Sequence, residues 1–207
     1  MKADGKYYLA NDITLTASYV NIFMGTLDGN GKTLTSTASR AINVDVAGNV
    51  VISNLTINAG ERAINIINKP SNVTLNNVTA TAANNAVMLA TSAQGANLTV
   101  NNCDFTGLAT VNVASANSVV VINDTKITNV DASKTENYGA ISIFKTAENS
   151  SVAVNGGEII VSDDSVAISN GIPSASYTVN GTVGADKVQN VIAYIGDAGY
   201  TTLADAI

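Results

Sequence analysis

Apolar and polar residues alternate along this chain in short runs, and the same run returns about every 23 to 25 residues. Val50–Ile57 (VVISNLTI), Val73–Ala80 (VTLNNVTA), Leu98–Phe105 (LTVNNCDF), Val120–Ile127 (VVINDTKI) and Val152–Ile159 (VAVNGGEI) can be laid over one another, and Tyr177–Val183 (YTVNGTV) closes the series. A second run recurs in step: Ala41–Val44 (AINV), Ala63–Ile66 (AINI), Ala86–Leu89 (AVML), Thr110–Val113 (TVNV), Ala140–Ile143 (AISI) and Ser165–Ile168 (SVAI). A period of two is the signature of a strand with one buried face, so each unit reads as three short strands. A unit of this size cannot bury its apolar side alone. The period therefore predicts an all-β solenoid, with room for roughly eight or nine stacked coils.

A bend falls at one place in every unit, at Ser53, Asn76, Asn101, Asn123, Asn155 and Asn180. Asn tolerates the left-handed backbone region that a sharp bend needs, and the next position (Asn54, Asn77, Asn102, Asp124, Gly156, Gly181) obeys the same rule. Amides stacked in register at about 4.8 Å can bond up and down such a column, which predicts a structural turn ladder. Beyond the bend, the outward position carries Thr56, Thr79, Asp104, Lys126 and Glu158, an arrangement expected to form cross-strand ion pairs.

Composition agrees with stacked coils. Hydrophobic residues make up 46% but charged residues only 13%, about half the usual share, so the surface must be built of Asn, Thr and Ser. A net charge of −6 argues against nucleic acid or an anionic membrane as partner. No stretch is apolar enough to cross a bilayer as a helix, and the first residues lack the apolar core of a signal peptide. If exported, the chain is expected to be a mature fragment. The single cysteine, Cys103, falls at an inward position and reads as a small buried hydrophobe. Histidine is absent, which removes the commonest general base and metal ligand; no cofactor and no metal site are expected.

The asparagine column over about residues 10 to 190 resembles the Asn ladder of right-handed, single-stranded parallel β-helices of the pectate-lyase-like superfamily. Tyr8–Leu15 followed by Phe23–Leu34 is similar to the opening of β-helix modules in large bacterial surface proteins, and Ile195–Ile207 resembles a linker that starts another module. The resemblance implies residues 1–194 as the β-helix and 195–207 as a boundary segment. Leu203, Ala206 and Ile207 lie on one face of a short helix that could cap the last coil, and the natural chain is expected to continue past Ile207.

Enzymes of that superfamily work on the outer face of the strand corresponding to the AINV run. The residues expected to point outward there are Asn43, Asn65, Met88, Asn112, Ser142 and Ala167, none of them charged. Asp163-Asp164 is similar to the paired acids of polygalacturonase-like hydrolases, but it lacks a histidine partner and reads as a solvated turn. The polar stretch Asn129–Gly139 makes one coil longer than the rest, and loops on rigid scaffolds tend to carry function. Lys134, Glu136, Tyr138 and Phe144 in and beside it are the candidate binding residues, with the two aromatics as the sugar platform. The expectation is a non-catalytic structural or adhesive module of a secreted or cell-surface bacterial protein, monomeric in isolation, contacting polysaccharide or cell-surface glycan. The alternative is a polysaccharide lyase or glycoside hydrolase of the same superfamily.

Overall fold

The computed structural model describes residues 5–22, 24–130, 138–162, 165–180, 188–190, 193–195, 198–202 and 204. The chain winds into a parallel β-solenoid of about seven turns, with no helix among the described residues. The first coil holds β1 (Lys6–Tyr8), β2 (Ile13–Leu15) and β3 (Val20–Ile22); the second holds β4 (Gly25–Asp28), β5 (Thr33–Ser36) and β6 (Arg40–Val44). In the third coil two segments run on as one bent strand, β7 (Asn49–Ala59), followed by β8 (Arg62–Ile66). The fourth repeats this with β9 (Asn72–Ala82) and β10 (Asn85–Leu89). The fifth is divided again, into β11 (Asn97–Asn101), β12 (Asp104–Gly107) and β13 (Val111–Val113). β14 (Val119–Asn129) with β15 (Gly139–Ile143), and β16 (Ser151–Ile160) with β17 (Val166–Asn170), make the sixth and seventh. β18 (Ser176–Asn180) and β19 (Val188–Asn190) lie on the last coil, and β20 (Ala193–Ile195) pairs antiparallel with β21 (Ala198–Tyr200).

Seven coils, with β18 and β19 on a further, partly described one, stand at the lower edge of the expected eight or nine for two reasons. One coil spends 32 residues between Asn123 and Asn155, and the chain leaves the parallel stack for the hairpin at its end. The helix expected over Leu203, Ala206 and Ile207 lies outside the described residues. The Asp28–Lys32 turn widens the second coil: β4 and β5 pair with neighbouring coils and not with each other.

Strands stack into an eight-stranded sheet, from β3 to β19, and an eleven-stranded sheet that includes both arms of the bent strands. Register in the larger sheet follows the repeat: Val50 pairs with Val73, Val73 with Leu98, Leu98 with Val120, Val120 with Val152 and Val152 with Tyr177. The smaller sheet departs from it once. Ile141 pairs with Ile168 and Ser142 with Ser169, so the sixth copy of the run is Ala167–Asn170 (AISN), two residues later than Ser165–Ile168. Ser169, not Ala167, therefore follows Ser142 in its column.

The bend divides labour between adjacent residues. Asn54, Asn77, Asn102 and Asp124 sit at φ of 51, 52, 51 and 46°, and Gly156 at 77°. The residues before them are not left-handed, contrary to expectation; their role is the amide column alone. Asn101 Nδ2 donates to Asn76 Oδ1 at 2.8 Å, Asn123 to Asn101 at 2.8 Å, Asn155 to Asn123 at 3.0 Å and Asn180 to Asn155 at 3.0 Å. The column stands half-exposed on the outer surface, with Asn180 exposed. A second column runs Asn97 to Asn72 to Asn49 at 2.8 and 3.1 Å.

The core lies between the sheets. Ile42, Val44, Ile64, Ile66, Val87 and Leu89 of the smaller sheet are buried, as are Ile52, Leu75, Val100 and Ile122 of the larger. Among the described residues Phe105 is the largest side chain that is fully buried. Asp104, Lys126 and Glu158 are register neighbours, but among the described residues they form no ion pair, so the expected ladder of charges is not closed.

Candidate functional site

The outer side of the smaller sheet is less open than alternation alone suggests. Asn43, Asn65, Asn112, Ser142 and Ala167 are all buried, and Met88 is half-buried. Side chains in a parallel column stand about 4.8 Å apart and shield one another. Asn65 Nδ2 donates to Asn43 Oδ1 at 3.1 Å, starting an amide column within this sheet. Met88 then takes the next place, with Asn112 after it and Ser142 beyond.

Where the amide column is interrupted, the surface dips into a cleft of about 280 Å³. Met88, Leu108 and Ala109 give it an apolar lining, and Tyr138 and Phe144 stand at it with ring centroids 5.8 Å apart and planes at 49°. The two aromatic rings thus meet, at a centroid distance usual for aromatic pairs. Lys134 and Glu136 lie outside the described residues, as does the Asp163-Asp164 pair.

The polar lining is anchored. Arg62 Nε donates to Asn85 Oδ1 at 3.3 Å, and Asn85 Nδ2 donates to the carbonyl of Ala109 at 2.7 Å. Asn112 is 6% exposed and its Oδ1 has no hydrogen-bond partner among the described residues. Ser142, the next residue in its column, is turned elsewhere: its hydroxyl donates to Gly139 O at 3.0 Å and accepts from Gly139 N–H at 2.9 Å. Arg62 also lies in register with Arg40, whose guanidinium sits 5.9 Å from the Tyr19 ring and whose Nε is buried without a partner among the described residues.

Arg62, Asn85 and Asn112 were not legible as site residues, because the column reading assigned this face by charge alone. The available signal was Met88, a thioether where the column otherwise carries amides and hydroxyls.

A further concavity is a shallow groove of about 440 Å³ over the bends, beside Asn102, Asp104, Asp124, Lys126 and Glu158. Cys103 lies beneath it, 4% exposed, as the inward position predicts. Its Sγ accepts from Val78 N–H at 3.4 Å and donates to Asn101 O at 3.3 Å. Burial pushes the thiol up to about 11, against the smaller pull of its backbone bonds, so it is a poor nucleophile. No group of three or more His, Cys, Asp or Glu placed to hold a metal occurs among the described residues.

Comparison with family models, curated proteins and solved structures finds no match to this chain.

Proposed function

We propose that this chain is a non-catalytic structural or adhesive module of a secreted or surface-anchored bacterial protein, of the pectate-lyase-like kind, and that it contacts glycan through the cleft at Tyr138 and Phe144. The observation that carries this reading is the composition of the cleft. An aromatic pair stands over an apolar lining, beside an arginine and an amide held in place by hydrogen bonds. Rings that cover the apolar face of a sugar, with fixed polar groups for its hydroxyls, are what a carbohydrate contact needs.

The described lining of the cleft holds no carboxylate, whereas glycoside hydrolysis generally uses two acids across the scissile bond. The amide ladders support the scaffold part of the reading, since they stiffen the stack without charge.

A glycan array, run beside an assay for new reducing ends and unsaturated uronides, tests the proposal. Binding that falls on Tyr138→Ala or Phe144→Ala, with no turnover, is the expected result. Turnover of a polyuronate that is lost on Asp163→Asn or Asp164→Asn would replace the module by an enzyme.

A further inference from the structure

We infer that the cleft beside Tyr138 and Phe144 receives an oxyanion of the glycan, a carboxylate, sulfate or phosphate substituent, on the guanidinium of Arg62. This rests on the glycan-contact reading and adds to it the charge of the ligand.

The chain contains two arginines, Arg40 and Arg62, and the fold sets them in register on adjacent strands of the smaller sheet. Like charges opposite one another on neighbouring strands destabilise a sheet unless something neutralises them. Acids are plentiful here, 16 against 10 basic residues, yet among the described residues neither arginine forms an ion pair. Glu61, next to Arg62 in sequence, is exposed and makes no ion pair with it. Two cations kept side by side without a counter-charge burden the free protein, and a bound anion relieves that burden.

Arg62 is the one of the two that lines the cleft, and it is the one charged residue in the described lining. Its Nε donates to Asn85 Oδ1, and Asn85, 4% exposed, is fixed in turn by its bond to the Ala109 carbonyl. The guanidinium is therefore held by one edge. Its terminal nitrogens make no hydrogen bond to the described residues and are not shut off from solvent. A planar fork in that state can give two parallel N–H bonds to a carboxylate, sulfate or phosphate, each roughly twice as strong as a bond between neutral groups. A sugar hydroxyl can accept one such bond but brings no charge to set against the two arginines. Arg40 has a different place: its guanidinium lies beside the Tyr19 ring and its Nε is buried, so it adds positive potential without lining the cleft. At about 280 Å³ the cleft suits one substituted sugar unit, near the lower end of ligand pockets.

An array of matched pairs tests this on the intact chain: gluco-, galacto- and manno-oligosaccharides, each neutral and each bearing a carboxylate, a sulfate or a phosphate. Polyglutamate serves as a polyanion that is not a sugar, and calorimetry follows for the pairs that bind. At least one charged member should bind about tenfold or more tighter than its neutral partner, and added NaCl should erode that margin. Which substituent gives the margin tells carboxylate, sulfate and phosphate apart. Arg62→Gln should bring the members of the pair within about twofold of each other. The melting temperature of that variant should hold or rise, because Arg40 loses its like-charged neighbour. Arg62→Lys keeps the charge and loses the fork, so it should keep the salt dependence and lose most of the margin. Neutral members bound as tightly as charged ones, or a margin that survives Arg62→Gln, overturn the oxyanion and leave the glycan contact standing. Polyglutamate bound as tightly as the charged glycans overturns it in favour of attraction to any polyanion. No binding in any arm, or binding indifferent to Tyr138→Ala and Phe144→Ala, removes both readings.

Discussion

Asn123 donates its side-chain amide to Asn101 in the preceding coil at 2.8 Å, and it does so from a half-exposed position on the outside of the bend. The bend itself is made by the residues after these two, Asn102 and Asp124, which carry the left-handed backbone. One residue binds neighbouring coils and the next turns the chain, so substitutions at the two places should fail for different reasons.

Asn102→Gly should leave stability within about 0.5 kcal/mol, since glycine adopts φ near 51° freely. Asn102→Val should cost on the order of 1–3 kcal/mol through backbone strain. Asn101→Val, which removes one amide bond given and one received, should cost about 1–2 kcal/mol. Lys126→Ala, exposed and unpaired among the described residues, should change stability by under about 1 kcal/mol. Urea unfolding of the four variants checks the order.

Gly157 and Gly31 both have positive φ, 81° and 69°, but differ in surroundings. A Cβ on Gly157 would stand 2.2 Å from the Thr125 carbonyl oxygen, while one on Gly31 meets nothing within 4 Å. Gly31→Ala should cost roughly 1–2 kcal/mol from strain alone. Gly157→Ala adds a clash and should cost more than about 2 kcal/mol. Thermal melts of both variants separate strain from crowding.

Phe105 is fully buried, and among the described residues no other side chain of its size is. Phe105→Ala should cost about 3–5 kcal/mol, from the lost transfer energy and the cavity left between the sheets. A loss under about 1 kcal/mol in chemical unfolding would mean that the coils collapse around the gap.

Cys103 gives the stability curve an alkaline edge. Its folded pKa is raised from about 9 to about 11, so the folded state holds the thiol proton where the unfolded state releases it. Its contribution is complete below pH about 9 and declines as pH rises toward about 11. Cys103→Ala should lose that part of the decline. At pH 8 the native thiol should react with a disulfide reagent only as fast as the protein opens.

The larger sheet was legible because its strands carry a strict period of two and a marked bend, which together leave one possible alignment; every described pairing from Val50 to Asn180 follows it. The smaller sheet was less constrained. Ser165–Ile168 and Ala167–Asn170 share the same alternation, and only the partner strand decides between them. The site escaped for a related reason. Alternation tells which side of a sheet a residue faces, but not that Ser142 turns its hydroxyl to Gly139 and strands Asn112. Nor did it show the polar column Thr14, Thr35, Asn58, Thr81, Thr106 and Thr128, hydroxyls broken by one amide, which begins in the two coils least like the rest.

Successive members of the amide column are separated by 25, 22, 32 and 25 residues, yet their bond lengths stay between 2.8 and 3.0 Å. Contour length and axial reach are therefore uncoupled: each coil advances the rod by about 4.8 Å whatever it spends at its corners. The molecule is a ruler graduated in turns. Material added at a corner widens the rod sideways without lengthening it, and the distance spanned between its two ends is altered only by adding or removing a whole turn.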